Sequence, residues 1–176
     1  LRDWQICASI DGTQFTGEYI RTGLKWGEWL ENFKQGLNHA RHRRQMRIDF
    51  TLTLPGMTEV ENIERLGRQL GADVLAKVIF SFSPDIVMSP LALPRTLLEP
   101  WIDELLPETH GDMNAVLTQL KQRPTFEEQW PDQYQSALRK GKARIQQLEL
   151  IRPDCATTMA HILSGRPEVA RWWHAI

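Results

Sequence analysis

Met46-Arg-Ile-Asp-Phe-Thr-Leu-Thr-Leu54 is the stretch that decides the fold. Met46, Ile48, Phe50, Leu52 and Leu54 alternate with Arg47, Asp49, Thr51 and Thr53. A period of two marks a strand with one apolar and one polar face. Pro55-Gly56 stops it, because proline lacks a ladder N–H and glycine accepts tight turns. Upstream, Trp4, Ile6, Ala8 and Ile10 alternate in the same way with Gln5, Cys7, Ser9 and Asp11, and Asp11-Gly12 supplies the turn. Downstream, residues 74–82 form a mostly apolar run ended by Ser83-Pro84-Asp85. Such a run suits a parallel strand covered by helices.

Helical periodicity fills the gaps. Trp26, Leu30, Phe33 and Leu37 lie on one stripe and predict a helix over 22–44. Its basic end, His39 to Arg44, suits the negative end of a helix dipole. Thr58 and Glu61 have capping-box spacing ahead of a helix that buries Val60, Ile63, Leu66 and Leu70 and ends at Gly71. Further helices are predicted over 94–106, 112–122 and 132–152, the last capped by Asp132 with Gln135. Strands separated by helical crossovers must run parallel. The expected fold class is therefore α/β: a partial (β/α) barrel with three parallel strands and crossover helices, followed by a helical C-terminal part. A complete eight-stranded barrel typically needs about 250 residues, and this chain has 176. Pro107, Gly111 and Pro124 suggest a division into 1–106 and 107–176.

Composition narrows the functional classes. There are 21 Lys+Arg and 22 Asp+Glu, a net charge of −1, which excludes a globally basic nucleic-acid binder. With 41% hydrophobic and 24% charged residues, the chain is not a disordered one. No apolar run approaches the roughly 18–20 residues of a membrane span, so neither nucleic acid nor membrane is expected as a partner. The two cysteines, Cys7 and Cys155, cannot make a disulfide framework. With no basic, apolar leader at the start, a cytoplasmic location is expected.

Ser9 and Asp11 fall on one strand face at its C-terminal end, the edge where parallel α/β folds bind ligands. A hydroxyl and a carboxylate there can receive ribose hydroxyls, and Arg21 can pair with a carboxylate or phosphate. The plainer reading is a strand-end turn with Arg21 on the surface. His39 and His42 share a helix face, but two ligands do not make a metal site. Arg41, Arg43, Arg44 and Arg47 are the densest basic patch. A solvated helix end explains them better than a phosphate backbone, since no aromatic platform is interleaved. Cys7 reads as a small buried residue and Cys155 as a free loop thiol. Trp172-Trp173 must be covered by the chain's own core or by a partner. No Gly-rich phosphate loop or nucleophile elbow is present.

Ser9-Ile-Asp-Gly12, Glu18-Tyr-Ile-Arg21, Lys25-Trp26 and Asn32 together resemble the central part of radical S-adenosylmethionine enzymes, within them the group with a shortened, twitch-type accessory segment. The later order, a Thr-rich strand, a helix with Leu-Gly and a Pro-rich loop, is similar as well. So is the closing Arg166-Pro-Glu-Val-Ala-Arg-Trp172. The resemblance covers most of 1–105 and, more loosely, the tail. It implies a partial (β/α) barrel, an iron–sulfur cluster, S-adenosylmethionine and a 5′-deoxyadenosyl radical. It places Ser9 and Asp11 at the adenosylmethionine or substrate rim, with Arg21 near a carboxylate. The family's Cys-x3-Cys-x2-Cys motif precedes the matched region and does not occur in this chain, and Leu54-Pro55 stands where the family often has Asn.

The expected function is that of a C-terminal segment of such an enzyme, acting on a small-molecule or peptide substrate and holding no cluster by itself. Two alternatives stand beside it: a cluster-less half-barrel that binds a peptide or protein, and an unrelated α/β enzyme using Asp11 and Arg21. A free edge on the first strand, Trp4–Ile10, predicts pairing with a missing N-terminal half-barrel or self-association, unless Trp172 and Trp173 fold back to plug it.

Overall fold

The computed structural model describes residues 4–152 and 157–176. Strands β1 (Ile6–Ile10), β2 (Met46–Leu52) and β3 (Asp73–Val78) form one open parallel sheet in the order β1-β2-β3. Helices α1 (Gln14–Ile20) and α2 (Trp26–His39) connect β1 to β2, and α3 (Val60–Leu70) connects β2 to β3. The α/β class and the parallel sheet are those expected from the alternation. The register sets Ile48 opposite Ala8 and Val74, and Asp49 opposite Ser9 and Leu75, so like faces are aligned across the sheet.

The apolar face is the core. Ile10, Ile48, Phe50 and Leu52 are each 0% exposed, and burying such a side chain contributes about 1.5–3 kcal/mol. Two glycines let helices approach this face. A Cβ at Gly36 of α2 would lie 2.6 Å from Met46 Cε, and one at Gly67 of α3 would lie 2.6 Å from Val74 Cγ2. The opposite face carries Cys7, Ser9, Arg47, Asp49, Thr51, Leu75 and Lys77, all half-buried or exposed. Among the described residues no strand pairs the outer edge of β1, and Ile6 there is 51% exposed.

The C-terminal part is mostly helical: α4 (Arg95–Leu105), α5 (Gly111–Gln122), α6 (Phe126–Gln129), α7 (Pro131–Leu150), α8 (Met159–Leu163) and α9 (Pro167–Ala175). Helix α5 packs on β3, and α8 packs on the 3-10 turn Pro55–Glu59 that follows β2. Gly141 lets α7 close on the 86–87 turn, where a Cβ would sit 2.7 Å from Ile86 Cγ2. The Tyr134 hydroxyl donates to the Ala92 carbonyl at 2.6 Å, and burial raises its pKa. One apolar cluster runs from Ile10 to Trp173.

Several expectations are corrected. The helix placed over 22–44 ends at His39, and α1, which no periodicity announced, precedes it. The basic run is therefore not a helix end. Buried Gln45 accepts the Arg41 N–H at 2.6 Å, and Arg43–Gln45 form a 3-10 turn into β2. Thr58 caps nothing: its hydroxyl donates to the Pro55 carbonyl at 2.8 Å, inside the turn before α3. Asp132 does not cap α7, because Pro131 opens that helix; the capping box forms one helix earlier, between Thr125 and Glu128. The third strand stops at Val78 rather than at 82, and just past it the Ser89 hydroxyl donates to the Ile79 carbonyl at 2.8 Å. Cys7 is exposed, not buried, because it faces the open side of the sheet. Trp173 is buried and its carbonyl accepts from Lys142 Nζ of α7 at 2.6 Å, so it seats on α7 instead of plugging β1. Cys155 lies outside the described residues.

The C-terminal part carries a pH signature. Arg95 and then the Thr125 N–H hold the Glu128 carboxyl down at about 2. A depressed carboxylate stabilises the fold fully above its ordinary value of 4.5 and loses that contribution as pH falls toward 2. In urea titrations, Glu128→Gln is expected to be less stable than the parent at pH 6, with the gap closing by pH 2; a pH-independent gap contradicts this assignment.

Candidate functional site

The C-terminal edge of the sheet is built from the loops after β1 and β2. These loops meet backbone to backbone. A Cβ at Gly56 would lie 3.0 Å from the Asp11 carbonyl oxygen, and one at Gly17 would lie 2.3 Å from that of Gly12. No side chain fits at Gly17, so the chain must turn tightly from Asp11 into α1. Gln14 takes a positive φ of 45° to begin that helix, an uncommon conformation for a residue with a Cβ. The turn is clamped by Glu59, which is 6% exposed. Glu59 Oε2 accepts the Thr13 N–H at 2.9 Å, the Thr13 hydroxyl and, at 3.3 Å, Asn62 Nδ2. Gly56 N–H donates to Thr53 Oγ1 at 2.9 Å, fixing the second loop.

Asp11 and Arg21, both singled out in the sequence, are brought together, but onto one another. Arg21 Nε donates to Asp11 Oδ2 at 2.9 Å, and a second guanidinium nitrogen lies 2.9 Å from the same oxygen. The Asp11 side chain is 10% exposed and that of Arg21 42%. The pair leaves much of the guanidinium facing solvent, where it can still take an acceptor. Ser9 has a different partner. Its hydroxyl donates to Asp49 Oδ2 at 3.0 Å, and Lys77 Nζ donates to the same oxygen at 2.6 Å. Ser9, Asp49 and Lys77 thus form a polar row across all three strands, on the open face.

The sequence reading missed Asp49 and Lys77 as partners of Ser9. The signal was present in part. Asp49 stands on the polar side of the 46–54 alternation, and Lys77 is the one charge inside the 74–82 run. Only the register, which sets Ser9 opposite Asp49, joins them. Chemically, the row and the Asp11–Arg21 pair offer a hydroxyl, an ammonium, part of a guanidinium and two partnered carboxylates. They can bind polar groups of a ligand by hydrogen bonds and charge. Neither carboxylate stands alone as a general base.

Metal ligands are not assembled here. Among the described residues no group of three His, Cys, Asp or Glu side chains is placed to hold a metal ion. The chain matches no protein-family model, no curated protein and no solved structure.

The clamp and the row should respond differently to mutation. Glu59→Ala leaves the buried Thr13 N–H unpaired and is expected to cost about 1–3 kcal/mol. Asp49→Ala removes an ion pair to a largely exposed lysine and is expected to cost no more than about 1 kcal/mol. Urea denaturation measures both, and a reversed order would show that the row, not the clamp, holds this edge together.

Proposed function

We propose that this chain is the C-terminal part of a radical S-adenosylmethionine enzyme of the twitch-type group, supplying part of a (β/α) barrel wall. The observation that carries the reading is the open polar face of a three-stranded parallel sheet. Parallel sheets are usually covered on both faces, and in a closed barrel the inner face is lined by side chains. Ser9, Asp49 and Lys77 would line that interior, and Asp11 with Arg21 would sit at its rim. This placement agrees with the resemblance carried by Ser9-Ile-Asp-Gly12 and Glu18-Tyr-Ile-Arg21.

The residues of this chain would bind and orient. Ser9 and Asp11 would meet the hydroxyls of S-adenosylmethionine or of a substrate. The exposed part of the Arg21 guanidinium would receive a carboxylate. Lys77 holds the Asp49 carboxylate as an ion pair, which keeps the row satisfied when water is excluded. An iron–sulfur cluster is not a fit to the described residues: Cys7 is exposed on β1 and no cluster-like ligand group surrounds it. Its ligands would come from the parent chain. A cytoplasmic setting accompanies this reading, since an exposed thiol and a cluster both favour a reducing compartment.

The partner implied is the N-terminal half of the same barrel, pairing with the free edge of β1 and bringing a small-molecule or peptide substrate against the polar face. The alternative, a half-barrel that recruits a peptide or protein, draws on the same free edge. The reading frame upstream of Leu1 separates them. The enzyme reading expects three cysteines at Cys-x3-Cys-x2-Cys spacing there. It also expects the full-length protein, under anaerobic reduction, to convert S-adenosylmethionine to 5′-deoxyadenosine. Asp11→Ala in that protein is expected to lower the rate at least tenfold, on the order of one lost charge-assisted contact. A frame without those cysteines, or a reduced full-length protein that yields no 5′-deoxyadenosine, overturns the proposal.

A further inference from the structure

We propose a second site, at the opposite end of the sheet, that binds the phosphate group of a small phosphorylated metabolite. The cavity lies where β2 and β3 begin and has a volume of about 410 Å³, within the range of small-molecule pockets. Four arginines from three elements line it. Arg43 and Arg44 come from the turn before β2, Arg47 from β2 itself, and Arg68 from the last turn of α3. Glu64, Asp73, Asp112 and His110 complete the polar lining.

Two of the guanidinium groups are engaged. Arg43 lies 3.3 Å from Asp73, and Arg68 lies 3.8 Å from Glu64. Among the described residues, Arg44 and Arg47 make no ion pair, and the buried Nε of Arg47 has no hydrogen-bond partner. A buried N–H left without an acceptor is costly, and native structures rarely keep one. A turn of the Arg47 side chain toward an anion in the cavity would give that N–H an acceptor. Gly111 and Asp112 also bring the N-terminus of the 12-residue α5 to the lining, a position that favours negative charge. The exposed Asp112 carboxylate acts against it.

The arrangement suits a phosphate better than a carboxylate. Guanidinium groups converge from separate elements, and a tetrahedral dianion can accept from several of them, whereas a planar carboxylate is satisfied by one fork. A concave pocket in a chain of net charge −1 suits a small ligand rather than a nucleic-acid backbone. The site is independent of the proposed enzymatic role. It lies at the N-terminal ends of the strands, away from Ser9, Asp11 and Arg21.

Calorimetric titration of the chain with inorganic pyrophosphate, and separately with inorganic phosphate, tests the assignment. Saturable one-to-one binding is expected, weakening as salt is raised. Arg44→Ala is expected to weaken it on the order of tenfold, as is Arg47→Lys, which keeps the charge but removes the fork. Arg44 is exposed and unpaired, so its variant should keep the parent circular dichroism and melting temperature. Arg171→Ala, on α9, should bind like the parent. No saturable heat, parent-like affinity in both the Arg44 and Arg47 variants, or tighter binding of a single-stranded oligonucleotide than of pyrophosphate each overturns the proposal.

Discussion

The buried face of β2 is the constraint on which the rest of the structure depends. β2 is the strand with both edges paired, and Ile48, Phe50 and Leu52 on it are fully excluded from water. Because its neighbours run parallel to it, each connection must travel back along the sheet, and a helix does so while covering apolar side chains. α2 and α3 are thereby obliged to lie on the same apolar surface, with Gly36 and Gly67 at the points of closest approach. The loops leaving β1 and β2 then emerge side by side at one end. The Glu59 clamp and the Gly56–Asp11 contact follow from that crowding.

What the sequence made legible was what period and turn chemistry encode. The alternations appear in the structure over the shorter spans 6–10 and 46–52, as do the stripe of Val60, Ile63 and Leu66 and the stop at Gly71, Gly71 with a positive φ of 62°. Helix α1 was not legible, because Gln-Phe-Thr-Gly-Glu-Tyr-Ile lacks a helical stripe and begins from a strained Gln14. It forms because Gly12 and Gly17 can touch. Caps were misplaced where two candidates compete locally: Thr58 is absorbed by a 3-10 turn, and Pro131 leaves no role for Asp132 as a cap. At the candidate site, the place of Ser9 on the polar face of β1 was readable, but Asp11 lies past the end of that strand and turns to Arg21 instead. The partners of Ser9, Asp49 and Lys77, required register, which local pattern does not carry.

The two ends of the sheet differ in how their charges are disposed. At the C-terminal end each carboxylate has a partner: Asp11 with Arg21, Asp49 with Ser9 and Lys77, Glu59 with Thr13. At the N-terminal end Arg44 and Arg47 have no such partner among the described residues, and a donor is buried without an acceptor. The same strand supplies both ends. Arg47 and Asp49 are two residues apart on one face of β2, yet Asp49 holds a neighbour on each side while Arg47 lines the cavity.

The polar row explains how one face of a parallel sheet can stay open. An apolar face left uncovered would drive aggregation, and isolated charges there would be costly to bury on closure. Asp49, holding the Ser9 hydroxyl and the Lys77 ammonium on one oxygen, avoids both. Lys77 remains over half exposed and in contact with water. The row nevertheless has its internal hydrogen bonds already formed, so covering it removes solvent without stranding a charge. A face of this kind is stable while open and tolerant of being enclosed. The edge of β1 that is unpaired among the described residues lies beside it, so a strand added there would extend the sheet.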